Sequence, residues 1–165
     1  MRLGVCVIAV AAAIICSGGD NARAAQSKGA VPSLDSLAIQ NGRCTRLVLA
    51  GRDMTRGCNA QVLNEVYSNG RVTFTFTVSN STTVTFSGAA PQVKLSGDVI
   101  VQPLDRFVWR LDAGVPSITK PVAGTCRYTN PYRGQATISC EAKGSEGIYR
   151  ASFVSNGSPP MIRDF

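Results

Sequence analysis

Four cysteines carry the spacing that points most directly to chemistry: Cys44 and Cys58 lie 14 residues apart, and so do Cys126 and Cys140. In an oxidising compartment an even set of cysteines indicates disulfides, and four allow three connectivities. Each pair brackets its own turn signal. The midpoint of the second pair falls in Asn130-Pro131-Tyr132-Arg133-Gly134, a turn cluster that would set Cys126 opposite Cys140 across a hairpin. The midpoint of the first is Gly51, within Ala50-Gly51-Arg52-Asp53. The spacing therefore predicts Cys44–Cys58 and Cys126–Cys140. A redox or zinc site asks for Cys-x-x-Cys or histidine, and the chain has neither. No metal and no cofactor is expected.

The absence of histidine also removes Ser-His-Asp and Cys-His machinery. Ser117-Ile118-Thr119-Lys120 matches the acylating Ser-x-x-Lys pattern, which needs one helical turn to bring the lysine onto the serine. Pro116 and Pro121 flank it, so an extended loop is expected instead. Paired carboxylates are the remaining route to hydrolysis. The acids beyond residue 25 are Asp35, Asp53, Glu65, Asp98, Asp105, Asp112, Glu141, Glu146 and Asp164, scattered and mostly beside turns. No catalytic residue is assigned.

Two basic groupings remain. Arg43, Arg46, Arg52 and Arg56 surround the first cysteine hairpin and form a candidate anion-binding edge. The plainer reading is a solvated edge whose charges discourage sheet-to-sheet pairing. Arg127, Tyr128, Tyr132, Arg133, Tyr149 and Arg150 interleave aromatics with arginine, as stacking platforms do. Neighbours in a strand point to opposite faces, however, so inward tyrosines with outward arginines are expected.

These residues sit on a chain of 165, of which the first 25 read as a secretory signal peptide. Arg2 supplies the positive start, Leu3 to Cys16 an apolar run, and Ala22-Arg23-Ala24 a small-x-small site with cutting after Ala24 or Ala25. The run falls short of the ~20 residues that span a bilayer. Lipid attachment at Cys16 would want a small residue before it, where Ile15 stands. Without residues 1–25, which hold Arg2, Arg23 and Asp20, 140 residues remain with a net charge of +6. That is one domain, large enough for a real core, with no transmembrane segment.

Short strands must position everything. Val72 to Val78 alternates strictly, with Val72, Phe74, Phe76 and Val78 on one face and three threonines on the other. Asn69-Gly70 before it is a hairpin turn, and Ser79-Asn80-Ser81 turns the chain into Thr82 to Phe86. Leu47 to Leu49, Ala60 to Val66, Val99 to Val101, Phe107 to Leu111, Thr125 to Tyr128, Ala136 to Cys140 and Ile148 to Val154 complete about nine strands, with turn signals roughly every ten residues. No segment keeps a helical period. The expected fold is all-β: an antiparallel sandwich or small barrel stapled by two disulfides. The domain is placed at 43–155, after an N-terminal arm over 26–42 with a short turn of helix at Leu34 to Ile39. A loose tail over 156–165 is expected from Pro159-Pro160.

The run Cys44-x13-Cys58, Asn69-Gly70-Arg71, Phe74-x-Phe76 and Phe86-Ser87-Gly88 resembles a family of small exported bacterial proteins with two such cysteine pairs. So does Gly124-Thr125-Cys126-x-Tyr128-x-Asn130-Pro131-Tyr132-x-Gly134-x-Ala136-x-Ile138-x-Cys140. The resemblance implies a periplasmic or secreted location and disulfides; it brings no activity, ligand or residue role. The expected function is a non-enzymatic exported domain that binds an envelope protein or an anionic polymer. Export argues against nucleic acid as the partner. The alternatives are an envelope-polymer hydrolase using carboxylates, marked by two acids within reach of each other in a cleft, and a structural surface protein.

Overall fold

The computed structural model describes residues 31–165 except Asn80, Ser96 and Ala113. The expected signal peptide and Cys16 lie outside the described residues. The chain runs through β1 (Leu34–Leu49), β2 (Arg52–Asp53), β3 (Cys58–Tyr67), β4 (Val72–Val78), β5 (Thr82–Gly88), β6 (Val93–Lys94), β7 (Val99–Arg110), β8 (Ile118–Thr129), β9 (Thr137–Gly144), β10 (Gly147–Ser155) and β11 (Met161–Asp164). Single turns of 3-10 helix at Thr55–Gly57 and Pro131–Arg133 interrupt them. Among the described residues no helix is long and apolar enough to cross a membrane.

Eight strands close into an antiparallel barrel, each hydrogen-bonded to the next long strand in sequence: β1, β3, β4, β5, β7, β8, β9, β10 and back to β1. Of the two expected architectures, the barrel is the one formed. β1 makes the closure. Its first half pairs with β3 on one side and β11 on the other, and its second half pairs with β10 after a bulge between Cys44 and Arg46. At three crossings among the described residues the strands approach so closely that no Cβ fits. One at Gly42 would overlap the Val154 carbonyl, one at Gly88 the Pro103 carbonyl, and one at Gly124 the Glu141 carbonyl. Barrels turn their corners at such glycines and bulges.

An eight-stranded barrel has an interior just wide enough for side chains to fill, and here aromatics fill it. Phe107 stacks on Tyr149 with ring centroids 4.2 Å apart, Phe86 meets Phe107 edge-on at 5.3 Å, and Phe76 meets Phe86 at 6.0 Å. Phe74, Phe153, Leu47, Val62 and Val84 are also buried among them. Burial pushes the Tyr128 hydroxyl, beside Phe74, up to about 12. The alternation expected for β4 holds, with Phe74 and Phe76 inward.

Both predicted disulfides are present, Cys44–Cys58 and Cys126–Cys140. Three expectations are corrected. Leu34 to Ile39 is strand, not a turn of helix, because β3 and β11 flank it and take up its backbone hydrogen bonds. Met161–Asp164, expected to be loose, pairs with Ser36 to Ile39. Val99–Val101 and Phe107–Leu111, expected as two strands, belong mostly to one strand, β7, carried through a bulge between Leu104 and Arg106.

Candidate functional site

Side chains occupy the barrel interior, and the concave surface lies on the outer wall. The outward residues of β4 and β5 are all short and hydroxyl-bearing: Thr73, Thr75 and Thr77 against Ser87, Thr85 and Thr83 in register. The flanking strands carry longer side chains at the same levels. One rung reads Glu65–Thr73–Ser87–Arg106, the next Leu63–Thr75–Thr85–Val108, and the third ends in Thr83–Arg110. Short residues between long ones make a trough of about 680 Å³, with Tyr67 and Arg71 at one end and Val31 and Pro32 contributing from the N-terminal side. The local cause is the period of two. Phenylalanines that fill the barrel force the intervening residues outward.

Hydrogen bonds fix part of this surface. Thr75 and Thr85 share a hydroxyl–hydroxyl bond of 2.8 Å, and Thr73 donates to Glu65 Oε2 at 2.6 Å. The Tyr67 hydroxyl is pushed up, first by burial and then by neighbouring Glu65. Arg71 reaches Ser87 Oγ at 2.9 Å and forks onto Asp105, at 2.7 and 3.2 Å. Asp105 also accepts from the Ala89 amide at 3.3 Å. Arg106 and Arg110 stand exposed on the β7 wall. The trough thus offers a floor of hydroxyls, four of them already bonded to one another or to Glu65 and Arg71, with one carboxylate and two outward guanidinium groups.

The Arg71 fork holds the Asp105 carboxyl below the usual carboxylate range. Folding lowers this pKa, so the pairing adds stability above the unfolded value near 4 and loses it as pH falls through the lower folded value. Asp105 is half exposed, which limits the effect to about 1 kcal/mol or less. Asp105→Asn should therefore unfold slightly below wild type at neutral pH and converge on it towards pH ~2. A constant gap across an acid series of unfolding midpoints would refute this.

The residues singled out in the sequence lie elsewhere. Arg43 and Arg46 on β1, Arg52 on β2 and Arg56 in the 3-10 turn are all exposed. Acids intersperse them: Asp53 feels Arg46 and Arg56, and Glu141 feels Arg46 while bonded to Arg150 at 2.7 Å. Ser117 and Lys120 share no helical turn, since β8 begins at Ile118 and Lys120 pairs with Glu146. Tyr149 is inward and Arg150 outward, as expected. Tyr132 is exposed, and Arg133 pairs with Asp98 at 2.8 Å. The described residues contain no cluster of three or more His, Cys, Asp or Glu able to hold a metal.

Sequence reasoning missed the trough. Its signals were present as three alternations, Thr73-x-Thr75-x-Thr77, Thr83-x-Thr85-x-Ser87 and Arg106-x-Val108-x-Arg110. What it lacked was the register that sets them side by side. No family model, no curated protein and no solved structure matches this chain.

Proposed function

We propose that the chain works as an exported, non-enzymatic binding domain whose partner sits in the trough on β3, β4, β5 and β7. The observation that carries this reading is the trough itself, a concave face floored by hydroxyls with two arginines on one wall. An aromatic-basic surface is the feature that distinguishes a binding module from a hydrolase in this chain. Tyr67, Arg106 and Arg110 supply it. The hydrolase alternative wants two carboxylates facing one another. Glu65 is the single acid among the lining residues, and Asp105 is engaged by Arg71. The two disulfides and the resemblance favour the periplasm or the cell exterior. The arginine edge at Arg43, Arg46, Arg52 and Arg56 serves in this reading as a weaker, salt-sensitive anion surface.

Affinity capture from envelope extract, washed at low and at high salt, tests it. Arg106→Ala/Arg110→Ala should reduce partner recovery at least tenfold. Arg46→Ala/Arg52→Ala/Arg56→Ala should leave recovery at high salt intact. Equal recovery by wild type and the trough variant would overturn the reading.

A further inference from the structure

We propose that the trough takes an extended, carboxylate-bearing glycan chain; this rests on the trough being the binding face. Its floor is two adjacent columns of hydroxyls from β4 and β5. A hydroxyl donates once, accepts twice and rotates to suit, so it complements another hydroxyl in either sense. A sugar chain presents such groups along its whole length. Leu63 and Val108 close the middle rung from both sides and, with the Tyr67 ring, offer apolar surface to the C–H faces of sugar rings.

The charges select among glycans. Arg106 and Arg110 lie four residues apart on β7, about 13 Å along a strand, a spacing that suits successive charges along one chain. The guanidinium fork matches a carboxylate in two-point fashion. Glu65, on the same rung as Arg106, can accept from sugar hydroxyls.

Peptides fit less well. The strands under the trough are bonded on both sides, β3 by β1 and β4, β4 by β3 and β5, and β5 by β4 and β7. No free strand edge is offered there, so an extended peptide would find no main-chain ladder to join.

The test is titration calorimetry of the oxidised full chain with four probes: alginate oligomers, dextran oligomers, poly-L-glutamate and polyphosphate. Alginate should bind at least tenfold more tightly than each of the others. Thr75→Val/Thr85→Val, which removes the two middle hydroxyls of the floor at nearly constant shape, and Arg106→Ala/Arg110→Ala should each weaken it at least tenfold. Unfolding midpoints close to wild type show that these outward changes leave the fold intact. Tighter binding of poly-L-glutamate or polyphosphate, or alginate binding that both variants retain, would overturn the proposal. Absence of alginate binding, together with trough-dependent capture from envelope extract, would overturn the glycan assignment alone. Absence of both would overturn the binding-face reading as well.

Discussion

Gly88→Ala should unfold this protein or leave it barely stable, a loss of roughly 3 kcal/mol or more for a single methyl group. Gly88 ends β5 at a corner of the barrel, where β7 crosses close beneath it. An added Cβ would overlap the Pro103 carbonyl and stand 2.8 Å from Gln102 Nε2. Neither neighbour can yield cheaply. Pro103 is backbone in the β7 ladder, paired with Thr125 on β8. Gln102 is fully buried, and its amide donates to the carbonyls of Ala90 at 3.0 Å and Pro103 at 2.9 Å. Moving it breaks both bonds inside a low-dielectric wall, where unpaired polar groups are costly. Gly70→Ala is the control. It also replaces a glycine, at φ +76°, but nothing lies within 4 Å of the new Cβ. Its cost should be confined to backbone strain of about 1 kcal/mol. Chemical denaturation of both variants checks the contrast. A Gly88→Ala midpoint as high as that of Gly70→Ala would show that β5 and β7 do not cross this tightly.

How far the sequence could foresee this architecture depended on the range of each signal. Local signals read well. The β4 alternation placed Phe74 and Phe76 in the core, and Asn69-Gly70 placed the β3–β4 turn, where Gly70 adopts positive φ. Cysteine spacing around turn clusters identified both bridges: Cys126 and Cys140 face each other across the β8–β9 hairpin, and Cys44–Cys58 closes the loop that holds β2 and the 3-10 turn. What failed needed tertiary partners. Leu34 to Ile39 has no strong strand pattern and becomes strand only because β3 and β11 lie on either side of it. Pro103 and Asp105 lie between the strands expected at Val99 to Val101 and Phe107 to Leu111. In the barrel the strand continues through them, the register shift falling between Leu104 and Arg106. Closure itself left no local trace, being carried by β1 as it moves from β3 to β10.

The trough was hidden for the same reason. In sequence Asp105 is one of the scattered acids, whereas in the fold its partner is Arg71, 34 residues away. Arg106 and Glu65 share a rung only through β4 and β5. Basic residues that cluster in sequence, such as Arg43 to Arg56, are visible without the fold, and those that register brings together are not. Short-range clustering and spatial clustering are different properties in a sheet, where each neighbour is a hairpin or more away.

The two disulfides close loops of equal length, so the chain-entropy account gives each about 3 kcal/mol. Losing both would remove about 6 kcal/mol, comparable to the whole stability of many domains. Their surroundings differ, and that should separate them kinetically. Cys126 and Cys140 face each other across β8 and β9 inside the barrel, 0% and 2% exposed. Cys44 is 9% exposed, and its partner Cys58 is only half buried, at the start of β3 beyond the 3-10 turn. Exchange requires an attacking thiolate to reach a sulfur. Under dithiothreitol without denaturant, Cys44 and Cys58 should therefore be reduced first, while Cys126 and Cys140 open only as fast as the barrel unfolds. Timed alkylation with mass mapping reads this directly. Cys126→Ala/Cys140→Ala should also destabilise more than Cys44→Ala/Cys58→Ala, because losing buried sulfurs leaves a void among packed side chains as well as a longer free loop. Labelling of all four cysteines at one rate, or of the β8–β9 pair first, would place the second bridge nearer solvent than the barrel interior.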